Sequence, residues 1–290
     1  MTCTGSVDRA EVTCVVVDDA GYDTTFLGQF GLSILLDVAS GDVTRRFLVD
    51  TGLSHEALLH NMGILGIDPK SIDYIFLTHC HYDHTGGLEG LLDETRDGVF
   101  VVGHPEIFRS CYTVKPSMRY IGMPEGCGRE TIESKGGHLV LASAPIEFMP
   151  GVVSTGEVER VTGYEPPENV FIIGEEGLVR DPELDDISLA VNVKDKGLVI
   201  IAGCSHAGIV NIMKQARRIT GIDKIAAVIG GFHLRIAGEE QLSKTVEELS
   251  KAGLVCAGHC TGFGALKAIS EEMGDRFKLL QCGTRLEIGS

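Results

Sequence analysis

Ten consecutive residues restrict what this chain can fold into more than any other stretch. Thr78-His79-Cys80-His81-Tyr82-Asp83-His84-Thr85-Gly86-Gly87 places three histidines and an aspartate between positions 79 and 84. The stretch follows directly on Tyr74-Ile75-Phe76-Leu77, an apolar run with the length of a buried strand. Such a strand leaves the polar residues at its carboxyl mouth. Imidazoles and carboxylates are ligands for Zn²⁺ and similar ions, and a loop leaving a strand can turn several of them toward one point. The His-x-His pair and the Asp-His pair need not face the same way, so the stretch can serve two ions. A polar loop rich in histidine by chance would lack the preceding strand and the two glycines.

The second half of the chain repeats this style. Runs at 198–202, 225–229 and 254–257 read as strands. They open into Gly203-Cys204-Ser205-His206-Ala207-Gly208, Gly230-Gly231-Phe232-His233 and Gly258-His259-Cys260-Thr261-Gly262. Helices are expected after them at 209–219, 239–251 and 264–273. Three strand-to-helix junctions thus each deliver a histidine, and in α/β sheets sites gather at the carboxyl ends of strands. Near the amino terminus, strands are expected at 12–17, 32–38 and 46–49, the last ending in Asp50-Thr51-Gly52. A helix should follow at 54–65, with Ser54 as its N-cap. From 106 to 170 the pattern loosens, and strand-like pieces appear only at 139–142 and 145–148. We expect one domain over 1–290, with 106–170 as an insertion covering the site like a lid. Arg119 and Arg160 are its candidates for touching substrate, against the ordinary reading of each as a solvated charge.

Composition narrows the partners. Against 41 acidic residues stand 25 lysines and arginines, a net charge of −16, which repels polyphosphate backbones. A small-molecule substrate is expected, and nucleic acid is not. No apolar stretch approaches the roughly 20 residues of a membrane helix. The nine cysteines contain no Cys-x-x-Cys pair, and the first residues lack a basic region followed by an apolar one. Free thiols in a reducing cytoplasm are the expectation.

His-x-His-x-Asp-His after a strand, the earlier Asp-Thr-Gly and the later histidine junctions resemble the metallo-β-lactamase superfamily. The resemblance implies an α/β fold, a four-layer αβ/βα sandwich with a one- or two-metal site along the shared edge of its sheets. It implies His79 and His81 as ligands of a first metal, Asp83 and His84 of a second, and His259 as the closing ligand of the second. Superfamily members commonly carry a Gly-His-Thr histidine and then a metal-bridging aspartate. Here Cys204 occupies the aspartate's position, and no Gly-His-Thr precedes it. His206 is expected to replace one missing ligand, with Cys204, Asp186 or Asp50 contributing to the metals or standing behind their ligands. Two divalent ions are implied, zinc first, with manganese, iron or magnesium as alternatives.

The junctions 203–208, 230–234 and 258–262 together resemble the branch of dihydropterin–ribofuranosylaminobenzene 5′-phosphate synthases of the methanopterin pathway. That resemblance implies a transferase acting on a small phosphorylated substrate, with the metals holding a pyrophosphate leaving group while an arylamine attacks. The alternative is a metallohydrolase of a phosphoester, lactone or thioester using a metal-bound hydroxide. Asp83 and His233 are the candidates for catalytic work. His233 lacks a ligand counterpart, so it reads as a substrate contact, a support for a ligand, or a structural histidine.

Overall fold

The computed structural model describes residues 5–175 and 177–290. In chain order its strands begin with β1 (Arg9–Val16), β2 (Ser33–Ser40), β3 (Val43–Val49), β4 (Tyr74–Phe76) and β5 (Phe100–Gly103). Short strands follow: β6 (Cys111–Thr113), β7 (Arg119–Tyr120), β8 (His138–Leu141), β9 (Glu147–Met149), β10 (Val152–Ser154), β11 (Val170–Gly174) and β12 (Gly177–Arg180). The last six are β13 (Leu189–Val193), β14 (Gly197–Ile201), β15 (Ile225–Gly231), β16 (Leu254–Gly258), β17 (Phe277–Leu279) and β18 (Arg285–Gly289). The helices are α1 (His55–Leu65), α2 (Tyr82–Thr85), α3 (Leu88–Leu92), α4 (Arg129–Ser134), α5 (Ile209–Thr220), α6 (Glu239–Leu249) and α7 (Phe263–Met273).

Two seven-stranded sheets carry the molecule, in the orders β18-β1-β2-β3-β4-β5-β8 and β17-β16-β15-β14-β13-β10-β9. Alternation along the strands explains why they stack, because successive side chains point to opposite faces. In β14, Val199 and Ile201 join the core between the sheets, while Leu198 and Ile200 face α5, α6 and α7. In β2, Ile34 and Leu36 point to the same central core, and Leu35 points outward with Leu58 and Met62 of α1. Both faces of each sheet are therefore buried, giving helix, sheet, sheet and helix layers. This is the sandwich expected from the sequence. The strands β3, β4, β5 and β8 run parallel, as do β14 to β17, so their carboxyl ends lie together at one edge of each sheet.

Local signals hold at most boundaries. Gly66 and Gly221 end α1 and α5 in the left-handed conformation, at φ +70° and +72°. Ser54 does stand at the N-cap of α1, but its side chain makes no capping bond. Gln29 serves instead: its Oε1 accepts from the backbone of Leu53 and Ser54, and its Nε2 donates to Ser54 Oγ.

The segment expected as a single insertion, 106–170, divides. β8 completes the first sheet beside β5, and β9 and β10 begin the second. These are framework strands: the strand-like pieces expected at 139–142 and 145–148 are β8 and β9, whereas β10, with three residues, left no signal in the sequence. What stands apart is a small sheet of order β12-β11-β6-β7, which joins the start of that segment to the strands at and just beyond its end.

Candidate metal centre

The loop after β4 is pinned before any ion is considered. Asp50, at the end of β3, is fully buried and at φ +60°. Its Oδ1 accepts from Thr78 N at 2.8 Å, and its Oδ2 from Thr78 Oγ1 at 2.7 Å. The same Oδ2 lies 2.6 Å from His84 Nδ1. From the other side Asp185 Oδ2 accepts from Cys80 N at 2.8 Å and pairs with Arg109 Nη1 at 2.5 Å. Burial alone would lower the Arg109 pKa, but Asp185, Cys80 and Asp181 outweigh it and keep the guanidinium charged.

Backbone strain collects at these junctions. Asp50, Glu183, Ser205, His233 and His259 all have positive φ, which costs an L-residue free energy and persists where surroundings enforce it. Gly203 shows how close the two sheet edges come: a Cβ there would lie 2.1 Å from Thr78 Oγ1. Only glycine lets the turn after β14 sit against the end of β4.

Two donor clusters result. In the first, His79, His81 and His206 bring ligand atoms within 4.8 Å of one another. Thr78 Oγ1 engages His79 Nδ1 at 2.9 Å, and Glu168 Oε1 engages His206 Nδ1 at 2.8 Å, with Glu183 Oε1 at 3.2 Å. The opposite nitrogens, His79 Nε2 and His206 Nε2, are buried without a hydrogen-bond partner. Buried orphans of this kind are costly unless something else binds them. In the second cluster, Asp83, His84, Cys204 and His259 converge equally closely. His84 Nε2 is 3.0 Å from Cys204 Sγ and 3.3 Å from His259 Nε2, and Asp83 Oδ2 is 3.3 Å from His259 Nε2. Asp50 holds the back of His84, and Asp18 Oδ2 holds His259 Nδ1 at 2.6 Å. A hydrogen-bonded Nδ1 with Nε2 turned inward is how proteins orient a ligating histidine. The residues present thus fit a pair of metal ions.

The charges fit as well. Burial and neighbouring imidazoles lower the pKa of His79, and burial with His206 lowers that of His81, so both are neutral and ready to donate a lone pair. Although burial opposes it, Glu168 raises the His206 pKa, and Cys260, Asp18 and Asp83 raise that of His259 to about 10. Those two rings hold a proton that a cation would displace. Asp83 resists the upward push of burial through His84 and His259 and stays well below the usual carboxylate range.

The remaining candidates divide. His233 Nε2 lies 2.7 Å from Glu168 Oε1, and its Nδ1 is buried without a partner. It borders, with Glu168, His206 and Phe232, a cavity of about 160 Å³. Asp186 accepts from Ala207 N at 2.6 Å, which ties down the turn carrying His206, and burial pushes its pKa up to about 7. Arg160 points Nη2 at Glu183 Oε2, 3.1 Å away, so it belongs to the support behind His206. Arg119 is exposed on β7 and reaches the side chain of Tyr82. Sequence reasoning missed Asp18, Glu168, Glu183, Asp181 and Arg109. Asp18 follows β1 much as Asp50 follows β3, a signal that was available; the others lie where no periodicity marks them.

The family model described as the metallo-β-lactamase superfamily matches residues 28–110. The 7,8-dihydropterin-6-methyl-4-(β-D-ribofuranosyl)-aminobenzene-5′-phosphate synthase of Methanocaldococcus jannaschii is 40% identical over 96% of this chain and 97% of its own. The chain belongs to the metallo-β-lactamase superfamily. Among solved structures of that superfamily, Tm1679, a metal-dependent hydrolase, is 27% identical, covering 97% of this chain and 100% of its own, with a TM-score of 0.80. The metallo-β-lactamase fold protein YhfI from Bacillus subtilis, 12% identical, covers 97% of this chain and 100% of its own with a TM-score of 0.52, a likeness of fold. The chain is thus a metal-dependent enzyme of that superfamily. No helix among the described residues is long and apolar enough to cross a membrane.

Proposed function

We propose that this enzyme joins a dihydropterin to an aryl ribofuranosyl phosphate, using two metal ions. The observation that carries the reading is the 40% identity to the Methanocaldococcus jannaschii synthase across nearly the whole of both chains. His79, His81 and His206 would hold one ion, and Asp83, His84, Cys204 and His259 the other. Imidazole and thiol donors in this proportion favour zinc over magnesium or manganese. Two such cations supply electrostatic stabilisation to the oxygens of a pyrophosphate leaving group.

The chain's own residues do the rest. Asp83, held ionised, contributes charge and is unsuited to donate a proton. His233 is suited to proton handling at the cavity edge, with Glu168 fixing its Nε2 and Nδ1 left over. The small sheet of β6, β7, β11 and β12 packs on the site through Ile121 O, which accepts from Tyr82 N, and serves to limit water. We place the substrate among small molecules on the same ground.

Hydrolysis is the second reading, favoured by the structural likeness to the hydrolase Tm1679. One assay decides between them. Zinc-loaded protein given hydroxymethyl-dihydropterin pyrophosphate and the aryl amine phosphate should yield the coupled product. Release of free hydroxymethylpterin without coupling would contradict the transferase reading.

A further inference from the structure

Beside the metal clusters runs a rim that the donor set does not use. Phe30 is 49% exposed, yet it is fixed. The next residue, Gly31, lies so close to the motif that a Cβ there would be 2.1 Å from Asp83 O, and Leu32 N donates to that same oxygen. The Phe30 ring centre is 5.4 Å from that of His259 and 6.1 Å from that of Tyr82, both tilted at 46°. A large apolar ring held half in water against a metal-site histidine gives up burial it would gain elsewhere. About half of its surface is left open to solvent.

Two arginines end this arc. Arg119 reaches Tyr82 on one side. On the other, the backbone of Arg235 packs against Gly262, three residues after His259, where a Cβ would lie 2.8 Å from Arg235 Cα. Both arginines are exposed, and among the described residues neither has a carboxylate partner. In a chain with 41 acidic and 25 basic residues, two guanidiniums without a carboxylate partner near the metal clusters are available to an anion. Guanidinium matches phosphate oxygens in geometry as well as in sign.

We propose that Phe30, Arg119 and Arg235 form a substrate-recognition rim, taking a planar aromatic group on Phe30 beside His259 and a phosphate oxyanion on the arginine at one end of the arc. This rests on the reading of the site as one for aryl phosphate substrates, and it assigns residues that the metal chemistry does not require. Ligand selection is set at the rim, and the metals behind it stay as they are.

Calorimetric titration of zinc-loaded protein with phenylphosphonate and methylphosphonate separates the two parts, because these probes share the anion and differ by the ring. Wild type should bind phenylphosphonate about five- to tenfold more tightly. Phe30→Ala should abolish that preference with zinc content and methylphosphonate affinity unchanged, and Phe30→Tyr should restore it. At least one of Arg119→Gln and Arg235→Gln should weaken both probes about tenfold. Equal binding of the two probes by wild type, or a preference that survives Phe30→Ala, would overturn the proposal, as would unchanged affinities in both arginine variants. Should the coupling assay fail while Phe30→Ala still abolishes the preference, the rim stands and the transferase reading falls.

Discussion

The two donor clusters face each other across the same sheet edges but are built differently. The first is three imidazoles backed by Thr78, Glu168 and Glu183; the second is an aspartate, two imidazoles and a thiol backed by Asp50 and Asp18. His79 and His81 are kept neutral by burial, whereas Asp83 is kept ionised within the second cluster. Once a cation displaces the His206 proton, the first cluster would offer neutral nitrogen alone, and the second would bring negative charge and, through Cys204, sulfur. A metal pair bound here should be unequal in strength and preference, although the ligands sit only residues apart in the motif.

The largest effect expected is on turnover. His79→Ala and His84→Ala each remove a nitrogen from a different cluster, and each should lower the rate of the coupling reaction on the order of 10³-fold by withdrawing electrostatic stabilisation. Equal activity in either variant would show that its cluster is a bystander.

Next come the groups behind the ligands. Asp18→Asn should weaken binding at the second cluster about 10- to 100-fold and leave the first within error, as read by competition with a chelator. A uniform loss at both positions would mean that the clusters are not separable.

Cys204→Ser tests the chemical difference. Zinc and cadmium affinity at the second cluster should fall on the order of tenfold while manganese affinity changes little, because the substitution trades a soft donor for a hard one. The sulfur-to-cadmium absorption band should vanish with it. Retention of that band would assign the sulfur to another cysteine.

The smallest effect is a slope. In the metal-free protein, His259 keeps its proton in the folded state to about pH 10, against about 6.5 in the unfolded chain. The stability this contributes is complete below about pH 6.5 and is lost as pH rises toward 10, since the folded state then binds more protons than the unfolded one. Melting temperature of the metal-free protein should fall over that window, His259→Asn should flatten the fall, and zinc should offset it by replacing the proton.

Much of this was legible in the sequence, for physical reasons that also mark its limits. The layers follow from apolar runs such as 198–202 and 225–229, whose length and flanking glycines announce buried strands. The histidines that converge in the two clusters are ones placed at strand ends, and His206 was readable as a candidate because its turn stands where the superfamily pattern has a residue this chain lacks. Strand β10 was not legible, since three residues are too few for periodicity to declare itself, and the strand-like pieces at 139–142 and 145–148 were readable as strands but not as the members β8 and β9 of the two main sheets. Nor were Glu168 and Glu183, whose work depends on where a loosely patterned loop returns to the site. Arg160 carried a charge in the right region, but Glu183 takes it.

The central claim is that His206 completes a first metal position, separate from a second one closed by His259. Metal content per chain, measured by mass spectrometry after zinc loading and desalting, addresses it most directly. We predict two zinc ions in wild type, one in His206→Ala and one in His259→Ala, with none in the double variant. Two zinc ions retained in His206→Ala, or a single ion in wild type, would contradict the account.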